Sequence, residues 1–447
     1  MTILSIKNTY DIQIAGKPSE QLSTLNPVNQ VAVLPNAIPY LKPKLKVKQG
    51  DSVQTGTVLF YDKRYPKIQF LSPGTGTVAQ INYGPKRVIE SVIIECNKKE
   101  EQVDFPKLTT EQIQTSTRED IVNLLTSGGV WGLFEEFPFQ RIPNPEIVPP
   151  AIYVAIDNDE PYHPSSNVYL EGNESYFEAG ILALKQLTKT VIVSKALDSK
   201  VSPNIDKIVT HHIKGHYPAN QTGTVLYHTK KSAAQNTSWG IYGQDVIRIG
   251  KLILMGQYPV EKIVVIAGSL AKNPRHIITR EGVPIKALIK EDIPTEPTRY
   301  IAGGIFQGRK VSAEGFLGIR DDALHLIREG KEPELLSFFR LGFDKPTHSK
   351  TYMSALIKKS EWEMTTSLNG GDRSCISCGK CVQVCSMDVY PQLLMKSIYA
   401  NDIEESLKLG VLDCINCGLC TYVCPSKINF EPTILSMQQQ LEKETHS

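Results

Sequence analysis

Cys375-Ile376-Ser377-Cys378-Gly379-Lys380-Cys381-Val382-Gln383-Val384-Cys385 is answered further on by Cys414-Ile415-Asn416-Cys417-Gly418-Leu419-Cys420-Thr421-Tyr422-Val423-Cys424-Pro425. Both runs have the spacing C-x2-C-x2-C-x3-C; Pro425 closes the second, and Ser386 stands where the first would have its proline. Three cysteines two residues apart can wrap one metal cluster from a single loop, and the fourth thiolate must come from elsewhere. The pattern is the one used for a pair of 4Fe–4S clusters, in which the last cysteine of each run ligates the other cluster. The expected ligands are therefore Cys375, Cys378, Cys381 and Cys424 for one cluster. Cys414, Cys417, Cys420 and Cys385 serve the other. Such crossing staples the runs together, so metal binding and folding are expected to be coupled here. Disulfides fit eight cysteines by parity, yet the start of the chain carries no export signal and the cytosol is reducing. Zinc sites pair two C-x2-C units rather than a continuous triple. The ninth cysteine, Cys96, ends the apolar run from Val92 and reads as a buried strand residue.

The segment between the runs places Leu393, Leu394, Ile398, Ile403, Leu407 and Leu409 at helical spacing, with a break near Asn401-Asp402 and a stop at Gly410. A second amphipathic helix is predicted over 432–443, with Pro432 in the first turn. The cysteine-bearing domain is thus expected to be helical.

Working outward, the rest of the chain alternates strand and helix. Residues 1–100 read as β. Lys42, Lys44, Lys46 and Lys48 alternate with Pro43, Leu45 and Val47, the period of a half-buried edge strand kept soluble by charge. The segments 47–53 and 72–78 resemble each other, like the paired hairpins of a biotinyl/lipoyl-type barrel-sandwich, but neither offers a lysine at a tight tip. A structural or docking role follows. Residues 101–115 read as a polar linker, and Ser116-Thr117-Arg118-Glu119 as a capping box opening a helix to about Thr126. Strands at 151–156 and 191–194 flank a helix over 176–187, an α/β layer. A helix over 244–255 and a strand over 262–266 follow. A second strand near Ile301-Ala302-Gly303-Gly304 suggests a small β-grasp module over about 260–310.

Three features invite a ligand and are read otherwise. Gly128-Gly129-Val130-Trp131-Gly132-Leu133-Phe134 could cradle a flavin phosphate, but aromatics and the following Glu135-Glu136 suit a helix C-cap and a packed loop better. Asp157-Asn158-Asp159-Glu160 is read as a solvated loop. His211, His212 and His216 lack a fixed third ligand, and adjacent strand residues face opposite ways.

With 447 residues, about three domains fit. Lys plus Arg number 49 and Asp plus Glu 47, and this balance excludes a dedicated nucleic-acid binder. No apolar run reaches the roughly 18–20 residues of a membrane span.

Along nearly its whole length the chain resembles the A subunit of the Na+-translocating NADH:quinone reductase. The stretches that carry this are Ile14-Ala15-Gly16, Gly84-Pro85-Lys86-Arg87-Val88, Gly215-His216-Tyr217-Pro218-Ala219, Tyr242-Gly243-Gln244-Asp245-Val246-Ile247, 365–374 and Cys420–Pro425. The family shares its architecture with the C subunit of the Rnf complex and the flavoprotein subunit of respiratory complex I. The resemblance implies a multidomain α/β (α+β) chain. Its parts would be a barrel-sandwich hybrid domain (1–100), a Rossmann-like domain (101–258), a β-grasp module of SLBB type (259–335) and a helical dicluster ferredoxin-type domain (336–447). Typical A subunits resemble a degenerate version that has lost most cluster cysteines; this chain keeps all eight, as in the Rnf C subunit.

The implied function is a peripheral, cytoplasm-facing subunit that relays electrons through two 4Fe–4S clusters toward quinone, coupled to Na+ export. Its partners would be the membrane and peripheral subunits of that complex, with quinone met at a subunit interface. No residue of the chain is expected to act as a catalytic acid, base or nucleophile, and FMN is not expected. An Rnf-type electron-input subunit binding FMN and NADH, and a scaffold with purely structural clusters, are the alternatives.

Overall fold

The computed structural model describes residues 2–291, 293–330, 341–348, 350, 352–366 and 373–445. The boundary expected near 335 and part of the 365–374 stretch lie outside the described residues.

Two small antiparallel sheets form the first unit. One orders Gln30–Val33, Ile89–Cys96, Gly76–Tyr83 and Ser52–Val53; the other orders Pro43–Leu45, Val58–Asp62 and Gln69–Leu71. Alternate residues of these strands point inward, so Val31, Phe60, Val78, Val92 and Ile94 are buried in a common core, and Leu59 joins them where the register shifts beside Phe60. Pro43–Leu45 is an edge strand, and Lys44 and Lys46 hold their ammonium groups 5.7 and 5.3 Å from the Tyr61 ring. Cys96 is half-buried at its strand's end rather than fully enclosed.

The α/β unit has a six-stranded sheet in the order Thr2–Ser5, His211–Lys214, Val191–Ala196, Ile152–Ala155, Trp239–Tyr242, Glu135–Glu136. The first five strands are parallel and the last is antiparallel. Ile152–Ala155 is buried throughout, as a central parallel strand covered on both faces must be. Helices Glu174–Leu187 and Gly243–Met255 pack together so closely that a Cβ on Gly250 would lie 1.8 Å from the Tyr176 carbonyl oxygen, and only glycine fits. From Ile152–Ala155 the chain builds outward through Val191–Ala196 to His211–Lys214, then returns to add Trp239–Tyr242 on the other side. In open α/β sheets ligands are placed at the carboxyl ends of the strands where the order reverses in this way. The helix over 118–127 is capped by Thr117 with Asp120 as the reciprocal partner, one residue beyond the pair read from sequence. The stretch read as linker also holds a capped helix, Thr110–Thr115, which buries Ile113.

The third sheet runs Arg309–Val311, Thr298–Ala302, Ala323–Arg328, Glu261–Ala267, Arg275–Arg280, Ser19–Thr24. The first 24 residues thus supply an edge strand to each of two sheets that lie far along the sequence. Local alternation marks them as β and says nothing of where they pair.

The C-terminal unit is helical: Lys380–Gln383, Pro391–Tyr399, Ile403–Lys408, Leu419–Tyr422 and Glu431–Thr445. Asn401, with φ of 54°, makes the break between the middle helices. The two cysteine runs repeat one another in backbone as well as in spacing. Ser377 and Asn416 both have φ of 54°, Gly379 and Gly418 have 70° and 75°, and a short helix follows each glycine.

Candidate metal centre

The runs wind around two adjoining cavities. One is lined by Cys375, Cys378, Cys381 and Cys424, with Gln392 and Phe430 among its walls. The other is lined by Cys385, Cys414, Cys417 and Cys420, with Ile415, Leu419 and Ile434. Cys381 borders both. All nine cysteines are free thiols. A cubane spreads its thiolate ligands over four corners, so sulfurs ringed about a cavity are the donor set it takes.

The surroundings keep these sulfurs protonated unless a metal binds. Burial pushes Cys414 up to about 12 and Cys381 up to about 11, and it raises Cys385, Cys417 and Cys420 as well. A metal bound there would take the thiolate form and release these protons. Gln392 Oε1 lies 3.1 Å from Cys381 Sγ, and the Ser377 N–H donates to Cys375 Sγ at 3.4 Å. Gln438, reaching from the last helix, donates to the Val411 and Cys414 carbonyls at 2.8 and 2.9 Å and accepts from Asn416 Nδ2.

The second run is held against the other units. Tyr217 Oη donates to the Cys417 carbonyl at 2.8 Å, and Gln307 Nε2 donates to the Ile415 carbonyl at 3.1 Å. His228 Nε2 lies 2.7 Å from the Ser386 carbonyl, and Lys230 pairs with Asp413 at 2.6 Å. Phe306 stacks on Tyr217 and meets Tyr422 edge-on.

Residues 157–160, expected as a solvated loop, are not one. Glu160 is only 2 % exposed, and its Oε1 accepts from the Phe306 and Gln307 N–H groups. Asp159 is partly covered and accepts from the Asn220 N–H at 2.7 Å; Asp157 accepts from Ser166, Ser199 and the Ala196 N–H. Burial pushes Asp159 and Glu160 each up to about 7. The partners of Asp159 and Glu160 come from residues 61 to 147 positions away, so local hydrophilicity misleads. The available signal was position: the acids follow directly on a wholly apolar parallel strand, at the carboxyl end where α/β sheets place ligands.

Gly128 caps the helix over 118–127, and Val130, Trp131 and Phe134 are fully buried beyond it, so this glycine segment is a packed loop. The histidines do not converge: His211 meets Thr210, His212 lies 3.7 Å from Asp206, and exposed His216 lies 3.9 Å from Asp11.

A barrel-sandwich, an α/β unit, an SLBB-type sheet and a helical dicluster domain together define an iron–sulfur subunit of a multidomain oxidoreductase. The corresponding family models match in order: the NqrA N-terminal barrel-sandwich hybrid domain over 4–97, the NqrA second alpha/beta domain over 116–258, the NQRA C-terminal (SLBB) domain over 263–313, and a 4Fe-4S dicluster domain over 371–428. The A subunit of the Na(+)-translocating NADH-quinone reductase of Actinobacillus pleuropneumoniae is 32% identical over 450 residues, covering 99% of this chain and 100% of that one. The Pasteurella multocida protein of the same name is 32% identical over 447 residues with the same coverage, and that of Vibrio parahaemolyticus 31% over 412 residues, 92% of each. The chain belongs to this A-subunit family, and as such is one component of an oxidoreductase complex. Among the described residues, no helix is long and apolar enough to cross a membrane.

Proposed function

We propose that this chain is the peripheral, cytoplasm-facing subunit of a Na+-translocating NADH:quinone reductase, and that it relays electrons toward quinone through two 4Fe–4S clusters. The observation that carries this reading is the pair of adjoining cavities, one lined by Cys375, Cys378, Cys381 and Cys424 and the other by Cys385, Cys414, Cys417 and Cys420, with Cys381 bordering both. Cys375, Cys378, Cys381 and Cys424 would hold one cluster, and Cys414, Cys417, Cys420 and Cys385 the other. Clusters bound there supply one-electron transfer at a potential set by burial, charge and hydrogen bonds to sulfur. The chain's own part is to fix the thiolates, exclude water with Ile415, Leu419 and Phe430, and set the local field. Cys381, shared by both cavities, keeps the two sites close. Tyr217, Gln307 and Lys230 dock the second run on the α/β and SLBB-type units. The remaining subunits of the complex are the partners, quinone is met at their interface, and Na+ export follows in the assembled complex.

The test is to reconstitute the full chain anaerobically and measure iron, sulfide and flavin, then record the EPR spectrum after dithionite. Roughly eight irons per chain with two reduced-cluster signals, and no flavin, is the expected outcome. A chain that takes up no iron sinks the relay; bound FMN with NADH-driven reduction points to an electron-input role of the Rnf type.

A further inference from the structure

A further cavity, of about 610 Å³, lies beside the first cysteine site and has Cys424 in its wall. Its size is that of a small-molecule site. Lys345, His348, Lys359 and Lys427 line it. The lining acids Asp344 and Glu363 are exposed, whereas Lys345, His348 and Lys427 are half-buried, so the inner wall carries the positive charge. Among the described residues, no acid pairs with Lys427. Burial pulls it down first, and then Arg373 and Lys345, both of its own sign. The charged group that acts on His348 is Lys380, and His348 Nε2 is buried with no hydrogen-bond partner. The turn that presents Lys427 has a counterpart after the first run. Asp388 and Lys427 have φ of 53° and 60°, and their N–H groups donate to the Cys385 and Cys424 carbonyls at 3.3 and 3.2 Å. Left-handed backbone favours Asp over Lys, and Asp388 is exposed. The turn itself therefore does not call for a lysine. A half-buried cation facing other cations costs free energy unless an anion meets it.

We propose that this cavity binds a small oxyanion, a molecule bearing phosphate or carboxylate groups, with Lys427 as its principal contact and Lys345 and the His348 ring beside it. The Lys427 ammonium and, in the Nε2–H tautomer, the His348 ring are donors that lack an acceptor, the complement of an oxyanion's lone pairs. The site is a cavity rather than a flat face, which suits a small molecule better than the acidic surface of a protein. Because Cys424 is part of the wall, a bound anion adds negative charge beside the first cysteine site and disfavours placing an electron there. That consequence rests on the proposed relay; the binding does not.

The experiment uses the full chain, reconstituted anaerobically and held in chloride buffer at about pH 7, where carboxylates are ionised and lysine is charged. Inorganic phosphate and succinate are titrated in turn by calorimetry, each replacing chloride at constant ionic strength. Saturable binding of at least one probe is expected; phosphate alone marks a phosphorylated ligand, and succinate alone a carboxylic acid. Lys427→Gln is expected to weaken binding about tenfold or more, and Lys427→Arg to restore it. Lys345→Gln serves if Lys427→Gln does not fold. Lys98→Gln, on an exposed residue of the barrel-sandwich unit, is expected to change nothing. In the same samples the saturating probe is expected to lower the midpoint of one reduced-cluster EPR signal and not the other; an unmoved midpoint overturns the link to the cluster. A chain that binds the probe but takes up no iron sinks the relay and leaves the anion site standing. If neither probe exceeds chloride, or binding survives loss of the Lys427 or Lys345 charge, the proposal falls.

Discussion

The two cysteine runs share spacing, backbone turns and a following helix, yet they sit in opposite surroundings. Ile376, between the first two cysteines of the first run, is 68% exposed, whereas Ile415, its counterpart in the second, is 6% exposed. Cys378 is exposed, while Cys417 lies behind the Tyr217 and Gln307 contacts. The first run keeps company with cations: Lys427 is pulled down by burial and then by Arg373 and Lys345. The second faces carboxylates, with Glu431 and Asp413 acting on Cys414 and Glu160 on Cys417. One motif thus yields an open, positively framed site and an enclosed, negatively framed one. The difference comes from the units that the runs dock on, not from the runs.

Serine substitution gives the largest effect. Cys378→Ser and Cys417→Ser are each expected to remove about half of the bound iron. Only Cys417→Ser also undoes the packing against the α/β unit, because it empties an enclosed cavity; a destabilisation above about 4 kcal/mol is expected, against less than half that for Cys378→Ser. Iron analysis and urea unfolding of both variants check this. Equal destabilisation would break the contrast.

Acid near the enclosed site gives the next effect. Asp159 and Glu160, raised to about 7 by burial, hold protons in the folded chain that the unfolded chain releases near pH 4. Their contribution to stability is fully present below that lower value and is lost as pH rises through about 7. Tyr217, Tyr242 and Glu431, which face the same groups, are themselves raised and do not reverse the sign. In choline buffer, the urea midpoint of the full chain is expected to fall between pH 5.5 and 8, and Glu160→Gln to flatten that slope. A midpoint that rises over this interval contradicts the assignment.

A smaller effect lies at the open site. An added electron is favoured beside cations, by on the order of 1 kcal/mol per nearby charge at an effective dielectric of about 20. Lys427→Gln is expected to lower the midpoint of one reduced-cluster EPR signal by that amount and to leave the other in place. Movement of both signals together would mean that the two sites do not differ in the way their surroundings suggest.

The cysteine spacing was legible because a cluster's ligand loop is local: eleven consecutive residues fix the turns, and Ser377, Gly379, Asn416 and Gly418 adopt the positive φ they need. The helix break at Asn401 and the strands around Val154 and Val265 were legible for the same reason, since their signals lie within a few residues. Pairing was not. Thr2–Ser5 joins His211–Lys214 and Ser19–Thr24 joins Arg275–Arg280, partners more than 200 residues off that no periodicity names. The burial of Glu160 was hidden likewise, because its lid is the Phe306–Gln307 backbone from another unit.

Tyr217 offers the finest probe of how the enclosed run is held. Its ring stacks on Phe306 at 5.4 Å and its hydroxyl reaches the Cys417 carbonyl, so ring and hydroxyl can be separated. Tyr217→Phe keeps the stack and leaves that carbonyl without its donor, at a cost of about 1 kcal/mol. Tyr217→Leu also removes the stacking, adding about 0.5–1.5 kcal/mol. If the hydroxyl only braces the fold, Tyr217→Phe lowers the melting temperature and leaves both EPR signals unchanged. If it also fixes the Cys417 thiolate, the signal lost in Cys417→Ser broadens or shifts in Tyr217→Phe while the other stays, and this second outcome is the one that the hydrogen bond to the ligand's own carbonyl leads us to expect.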